Sequence, residues 1–358
     1  MTVPAGASAR PASPWAPLRQ PMFRALWIAI LVSSIGTWTH DVGAGWLMTS
    51  LSPSPLMVAL VQAATTLPIF LFVMPAGVLA DIINRRRFLM AAQLVIIVAA
   101  FGLSGLTLAN LVTPWALLGL TFALGVGTAM TAPTFQAVVF EIVTKEDLPA
   151  AIALNSLAFN VSRAIGPALG GFMISLLGTP AVFLLNGLCT LAVLIVLYRW
   201  RRESQPGRMP AEQLLPAMRS GFRYVDEAPA MKAVLIRAVA FFTFASALWA
   251  LLPLVARKEM GLSATEYGLL LTFIGLGAVA GALLLPRARR VLSADASVVS
   301  ATLLFALAIL GLAAAPGLAW AAVAMLLAGV GWIAVLSSLA VGAQATSAGW
   351  VKARALAF

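Results

Sequence analysis

Long apolar runs separated by short polar segments dominate this chain. A transmembrane helix needs about 20 consecutive, mostly apolar residues. Ten stretches meet that requirement, at roughly 23–48, 56–80, 88–108, 114–139, 149–177, 180–198, 233–256, 264–285, 297–314 and 317–344. Most of the connections between them are short, so consecutive helices must run antiparallel. The pattern predicts an all-α polytopic membrane protein with ten full spans.

The composition excludes a soluble fold. Of the 358 residues, 61% are hydrophobic and 10% are charged, whereas soluble domains average roughly 45–50% and about 25%. A single Cys and a single His exclude a disulfide framework within the chain and argue against a Cys/His zinc site. Because no span carries clustered acids and no phosphate-binding loop occurs, we expect neither an enzyme nor ATP coupling, and no cofactor or metal.

The net charge of +11 reports orientation rather than nucleic-acid binding. With the N-terminus inside, all but three of the 23 Lys and Arg residues lie in inner segments or at their flanks. The exceptions are Arg163, which lies within a span, and Arg257 with Lys258, which lie outside. Cytoplasmic loops collect basic residues. We therefore expect a multi-pass protein of the bacterial inner membrane with a cytoplasmic N-terminus, in contact with the lipid bilayer. Tryptophans near span ends fit an interfacial aromatic belt, and these are Trp27, Trp46, Trp115, Trp200 and Trp320.

Landmarks recur at an offset of 204 residues. Gly77, Arg85 and Arg86 map onto Gly281, Arg289 and Arg290, and Gly125-Val-Gly127 maps onto Gly329-Val-Gly331. Such repeats are typical of transporters built from two parallel helix bundles. The expected segments are a disordered lead at 1–20, a six-helix bundle at 21–199, a cytoplasmic central loop at 200–231 and a partial second bundle at 232–358. The repeat places the start of an eleventh helix near Ala353 and leaves a twelfth beyond residue 358. The central loop contains either an amphipathic helix at 214–225 or a solvated linker.

A polar motif lies in the turn between spans 2 and 3. Its residues are Gly77, Leu79, Asp81, Arg85 and Arg86. Glycine permits close helix approach, and an Asp near a helix N-terminus is electrostatically favoured. The motif resembles the signature loop of the major facilitator superfamily, in which it acts as a latch between conformations. Ile82 and Asn84 depart from the family's usual Arg and Gly. The alternative is a positive-inside cluster beside a helix cap.

Span 5 carries a second motif. Its residues are Ser162, Gly166, Pro167, Gly170 and Gly171. A stripe of small residues permits close helix packing, and packing alone is one interpretation. The Gly-Pro and Gly-Gly pairs also resemble the family's antiporter motif, with Ser162 in the place of a Gly. The longer run from Leu148 to Pro167 is similar to the branch that contains enterobactin exporters and transmembrane secretion effectors.

The resemblance implies a function. A member of this branch would be a monomeric secondary transporter that exports small amphipathic molecules, such as drugs or siderophores, by alternating access. Proton antiport would drive it. Uptake by the same fold and an inactive truncated fragment are the alternatives.

Arg163 is an unusual charge within a membrane span. A charged residue at the bilayer centre costs about 2.5–3.5 kcal/mol on insertion scales, and such residues usually face a cavity or a partner. Ser156, Asn160 and Arg163 recur at i, i+4 and i+7, which places them on one helix face. We expect this face to line the substrate cavity. Alternatively, Arg163 holds a neighbouring helix through backbone carbonyls.

Asp41 is the one acid clearly within a span, so it is the candidate for proton coupling. The alternative is a solvated outer rim, because Asp41 lies far along span 1. Gln62 and Gln136 are candidate hydrogen-bonding residues of the cavity, although polar side chains between helices also serve in packing. Span 4 lacks the Arg that many proton-coupled relatives carry there.

Overall fold

A computed structural model describes residues 13–144, 146–200 and 228–346. These residues form ten helices long and apolar enough to cross a membrane, and no strand occurs among them. The helices are α1 (Pro21–Leu51), α2 (Pro55–Ile82), α3 (Arg85–Leu108), α4 (Pro114–Ile142), α5 (Leu148–Leu177), α6 (Thr179–Arg199), α7 (Pro229–Leu254), α8 (Ala264–Ala288), α9 (Ala294–Ala313) and α10 (Leu318–Thr346). The predicted all-α fold with ten spans is confirmed.

The helix ends follow from local sequence. Six of the helices have Pro in their first two positions, where its missing N–H and fixed φ fit the helix start. Asn84 caps α3, because its side chain accepts hydrogen bonds from the backbone N–H groups of Arg86 and Arg87. Ser263 and Glu266 form a reciprocal capping box at the start of α8. Gly178, at φ +80°, makes the tight turn from α5 into α6.

The helices form two groups that share a packing pattern. In the first bundle (α1–α6), α4 packs against α2 and α3. In the second (α7–α10), α10 packs against α8 and α9. The repeated glycines lie at these contacts. A Cβ on Gly125 would lie 3.0 Å from the Ala64 carbonyl oxygen of α2, and a Cβ on Gly329 would lie 2.1 Å from the Ile274 carbonyl oxygen of α8.

The second glycine of each pair contacts the other neighbouring helix. A Cβ on Gly127 would lie 2.9 Å from the Ala92 carbonyl oxygen of α3, and one on Gly331 would lie 2.9 Å from the Ala301 carbonyl oxygen of α9. The contacts therefore shift by six helices between the bundles, as expected for a parallel repeat. Only glycine permits backbones to approach so closely.

The two bundles meet mainly through α5 and α8, with further contacts of α7 with α1 and α2. We call the face that carries Arg85–Arg87 and Arg287–Arg290 the basic face, and the face that carries the α1–α2 and α7–α8 connections the opposite face. The largest buried cluster of apolar side chains among the described residues includes members of both bundles.

Contrary to expectation, the lead is not irregular up to residue 20. Ala16–Arg19 form a 3-10 helix that packs against α1 and α5, with Pro17 buried. Apolar contact fixes this segment, since Leu18 packs beside buried Phe23. Residues 1–12 lie outside the described residues. So do the candidate helix at 214–225, the proposed start of an eleventh helix near residue 353, and the side chain of Asp81.

Candidate functional site

At the opposite face, polar contacts tie the first bundle to the second. The Arg257 guanidinium donates hydrogen bonds to Thr49 Oγ1 at 3.0 Å and to the Trp46 carbonyl oxygen at 3.3 Å. Its Cζ also lies 5.0 Å from the centroid of the Trp46 ring. Lys258 Nζ lies 3.5 Å from the Pro53 carbonyl oxygen. These contacts join the end of α1 to the turn after α7.

Close packing of α5 on α8 closes the same side. A Cβ on Gly171 would lie 2.3 Å from the Ala264 carbonyl oxygen, and a Cβ on Gly268 would lie 2.4 Å from the Pro167 carbonyl oxygen. Real Cβ atoms essentially never approach so closely. Pro167 and Gly171 of the span 5 motif therefore belong to the interface between the bundles.

The other face of this motif packs within the first bundle. Ser162 Oγ donates a hydrogen bond to the Leu31 carbonyl oxygen of α1 at 3.2 Å. A Cβ on Gly166 would lie 2.4 Å from Trp38 Cβ, and one on Gly170 would lie 3.0 Å from a backbone Cα of α1. The motif thus packs α5 against α1 and α8 at once.

An interbundle cavity of about 440 Å³ lies on the side of this closure that faces the basic face. Side chains of α1, α2 and α5 line one side of it, and side chains of α7, α8 and α10 line the other. Its polar and aromatic lining consists of Trp38, Asp41, Gln62, Thr65, Thr66, Arg163, Phe242, Ser246, Trp249, Tyr267 and Trp332. The structure therefore brings together Asp41, Gln62 and Arg163, three of the predicted site residues.

Arg163 lies 15 residues after Leu148, where α5 begins, and 14 before Leu177, where α5 ends. Among the described residues, no side chain or carbonyl accepts a hydrogen bond from its guanidinium, and no carboxylate pairs with it. This arrangement does not match an Arg that holds a neighbouring helix through carbonyls. The guanidinium is available to a molecule in the interbundle cavity.

Asp41 lies ten residues, or about 15 Å of helix, before Leu51, where α1 ends. It lines the interbundle cavity and also a second cavity, which lies within the first bundle between α1 and α4. In the described part of the chain its carboxylate makes no hydrogen bond or ion pair. This position is deeper than the solvated rim considered as the alternative.

The remaining predicted cavity residues lie closer to the basic face. Gln136, Ser156 and Asn160 line a mouth pocket of about 430 Å³ between the basic ends of α4 and α5. The Ser156 hydroxyl donates to the Ile152 carbonyl oxygen at 3.1 Å, and the Asn160 amide donates to the Ser156 carbonyl oxygen at 2.8 Å. The polar face of α5 is therefore divided between the mouth pocket and the interbundle cavity.

The candidate latch motif lies at the basic face. Arg85 Nη1 pairs with Glu141 Oε1 of α4 at 2.6 Å, and Arg86 Nε donates to the Leu197 carbonyl oxygen of α6 at 2.9 Å. Arg86 also lies over the Tyr198 ring, 5.8 Å from its centroid. These contacts join α3 to α4 and α6 within the first bundle.

The other residues of this motif show no close helix contact. A Cβ on Gly77 would meet no described atom within 4 Å, and Leu79 is exposed. The steric reason given for a glycine at position 77 is therefore wrong for this conformation. A latching role for the motif stays a prediction.

An aromatic wall of the second bundle was missed. Trp249 and Trp332 have ring centroids 4.2 Å apart, and Phe242 lies 5.3 Å from Trp332. All three line the interbundle cavity. The available signal was the position of both tryptophans well inside their spans, away from an interfacial belt. The belt assignment of Trp46 was itself wrong, because its ring stacks on Tyr267 at 5.7 Å, in the contact between the bundles.

Comparison with known proteins identifies the chain's relatives. A model of the family described as transmembrane secretion effector matches residues 12–358. The chain belongs to this family. With its ten membrane-length helices, the chain is a multi-pass membrane protein of the major facilitator type. The resemblance drawn from its motifs is therefore confirmed.

Individual relatives of this transmembrane secretion effector are remote in sequence. The chain is 28% identical to the enterobactin exporter EntS of Salmonella choleraesuis over 328 residues, which cover 89% of this chain and 76% of the exporter. It is 22% identical to the staphyloferrin A transporter of Staphylococcus aureus over 280 residues, with 77% and 70% covered. The match to EntS of Shigella flexneri, at 29% identity, covers 74% of this chain and spans 62% of that exporter's length.

Solved structures share the fold. A bacterial homologue of the human lysosomal transporter Spinster, in an inward-facing and unoccupied conformation, superposes with a TM-score of 0.72 at 17% identity. That match covers 95% of this chain and 78% of the other. A mutant of the peptide transporter POT gives a TM-score of 0.73 at 14% identity, with 94% and 84% covered.

Proposed function

We propose that this transmembrane secretion effector exports small amphipathic molecules by alternating access, driven by proton antiport. One observation carries the proposal. The interbundle cavity is closed at the opposite face by α5, α8 and Arg257 and continues through neighbouring cavities toward the basic face. A site between two repeat-related bundles is the usual geometry of alternating access.

The lining of the cavity supports an amphipathic substrate. Trp249, Trp332 and Phe242 offer apolar rings on one side, whereas Gln62 and Arg163 offer donors on the other. Ligand sites commonly combine an apolar lining with a few polar groups that fix orientation. Enterobactin and staphyloferrin A, named for two relatives, are substrates of those proteins and serve as starting points here.

Asp41 is the proposed proton carrier. Its carboxylate borders the cavity and makes no hydrogen bond or ion pair with a described residue, so the site gains or loses one charge when the carboxylate binds or releases a proton. Competition between a proton and a substrate for one site couples their movements. With the basic face in the cytoplasm, as the positive-inside rule requires, the described conformation would load substrate from the cytoplasm.

Flux in proteoliposomes tests the direction and the coupling. The vesicles are those in which the opposite face of the protein lies on the lumen side. We expect an imposed proton gradient to drive rhodamine 6G or enterobactin into these vesicles while protons leave the lumen. Asp41→Asn, which keeps the side-chain shape, should abolish the response to the gradient and leave exchange down the substrate gradient. Gln62→Glu is a useful contrast, because it adds an acid to the same cavity without removing Asp41. Wild-type flux that ignores the proton gradient would refute antiport, and flux in the reverse direction would indicate uptake.

A further inference from the structure

The interbundle cavity carries two charges of opposite sign. Among the described residues, Asp41 is the only acid and Arg163 the only cation that line it. Neither side chain makes a hydrogen bond or an ion pair with a described residue, so the two do not pair with each other. A buried charge is costly unless it is paired and hydrogen-bonded. In this conformation the cavity therefore offers an acid and a cation to separate partners.

The packing of α5 against α1 shows how far apart these two groups lie. The backbone carbonyl oxygens of Leu31, Ile35 and Thr39 each lie against the α5 residue 131 positions later. The two helices therefore run parallel in a constant register, which places Asp41 nine residues nearer the opposite face than Arg163. Nine residues are about 14 Å of helix axis at ~1.5 Å per residue. Two separate groups of a ligand are needed to reach both charges.

Aromatic rings of the second bundle extend over a similar distance. The residues four positions after Asp41 and Trp249 contact each other, with 3.2 Å between a Cβ built on the glycine of α1 and the proline Cγ of α7. Because both helices run from the basic face to the opposite face, Trp249 lies at the level of Asp41. Phe242, seven residues earlier on α7, lies about 10 Å nearer the basic face, toward the level of Arg163. The cavity thus has an aromatic side, a negative end and a positive end.

This arrangement favours a substrate with two opposite charges. A substrate that fills the cavity displaces water from both Asp41 and Arg163. A molecule with a single charge pairs with one of them and leaves the other buried without a partner, which is costly. A zwitterion pairs with both. A flat aromatic body that carries the positive charge gains more, because the faces of tryptophan rings attract cations.

We propose that the substrate of the interbundle cavity is an aromatic zwitterion, whose positive group lies beside Asp41 and Trp249 and whose carboxylate binds Arg163. This inference rests on the proposed function and names its substrate class. A positive group beside Asp41 disfavours protonation of the carboxylate, so substrate and proton exclude each other at this site. Arg163 sets the preference among cationic molecules, because it repels those that lack a negative group.

Three dyes with a common xanthene core test the substrate class. Rhodamine 19 is a zwitterion, rhodamine 6G is its ethyl ester and carries only the positive charge, and fluorescein carries the carboxylate without a positive charge. Binding to the wild-type protein in nanodiscs at neutral pH is measured by fluorescence anisotropy, with empty nanodiscs as the blank. We expect rhodamine 19 to bind about tenfold or more tightly than either other dye, because each of those loses one charge-assisted contact. Equal affinity of rhodamine 19 and either other dye would overturn the inference.

Two variants assign each charge of the dye to its contact. Arg163→Gln should lower the affinity for rhodamine 19 about tenfold and should not weaken rhodamine 6G, so the preference between them disappears. Asp41→Asn should weaken both rhodamines and should not weaken fluorescein. Arg237→Gln is the matched control, because it removes a positive charge from an exposed ion pair with Asp295, outside the cavity. All three affinities should be unchanged in this control.

The outcomes separate this inference from the proposed function. A preference for rhodamine 19 that survives Arg163→Gln would place the carboxylate elsewhere and overturn the inference, while proton-driven flux of rhodamine 6G stands. Wild-type flux of rhodamine 6G that ignores the proton gradient overturns the antiport, whereas a tenfold preference for rhodamine 19 in the same protein still supports the zwitterion site. The comparison of the three dyes on the wild-type protein decides the substrate class even where a variant fails to fold.

Discussion

At the residue scale, Arg163 is a charge near the middle of α5 without an ion-pair partner among the described residues. A charge at membrane depth costs about 2.5–3.5 kcal/mol on insertion scales. No described residue repays that cost through a hydrogen bond or ion pair with the guanidinium. The side chain instead faces the interbundle cavity, in contrast to Arg86, which binds backbone carbonyls of α6. A residue that stabilises little in the fold and faces a cavity is a strong candidate for contact with substrate.

Arg163→Ala should therefore separate activity from stability. We expect transport of an anionic amphiphile such as enterobactin to fall by about tenfold or more, because a charge-assisted hydrogen bond contributes roughly 1.5–3 kcal/mol. The melting temperature in detergent should stay the same or rise, since no partner is left unpaired. Arg163→Lys, which keeps the charge, should retain part of the transport. A clear fall in melting temperature would instead show that Arg163 supports the fold.

At the scale of elements, the contact between α5 and α8 depends on glycine. Gly171 and Gly268 lie where each helix touches a carbonyl of the other. Gly171→Ala forces the backbones apart, and overpacking of this kind costs typically about 1–3 kcal/mol. We expect a lower melting temperature and weaker closure of the opposite face. Gly119→Ala in α4 is the matched control, because a Cβ there meets no described atom within 4 Å. Equal melting temperatures for the two variants would contradict a tight α5–α8 contact.

The sequence predicts the elements far better than it predicts the site. Each apolar run is long enough to predict a membrane-spanning helix by itself. Pro, Asn84 and Ser263 mark the first residues of several helices. The aromatic wall could not be predicted, because Trp249 and Trp332 lie 83 positions apart and meet only when α7 packs near α10. Likewise, the pattern places Asp41 near one end of a span but cannot say which cavities reach it. Hydropathy along one helix carries no information on which helix lies opposite.

At the scale of the whole molecule, side-chain contacts join the two bundles at the opposite face. Thr265 Oγ1 of α8 donates to Ser175 Oγ of α5 at 2.8 Å across this contact. The Arg257 contacts with Trp46 and Thr49 add a second tie between the bundles. If transport requires this face to open, any covalent tie here must stop it, whereas the fold of either bundle should be unaffected.

Ser175→Cys with Thr265→Cys, in a Cys189→Ala background, which is free of cysteine, tests this requirement. The hydrogen-bonded hydroxyls place the new thiols close together, and a disulfide needs an S–S distance of about 2.05 Å. We expect oxidation to cross-link the bundles and to stop rhodamine 6G transport, and reduction to restore it. Each single variant should transport under both conditions, which controls for damage by the oxidant. Binding of rhodamine 6G from the basic face should survive the cross-link, because that side stays open. A cross-linked protein that transports at the wild-type rate would show that substrate does not cross between α5 and α8, and alternating access of the two bundles would have to be abandoned.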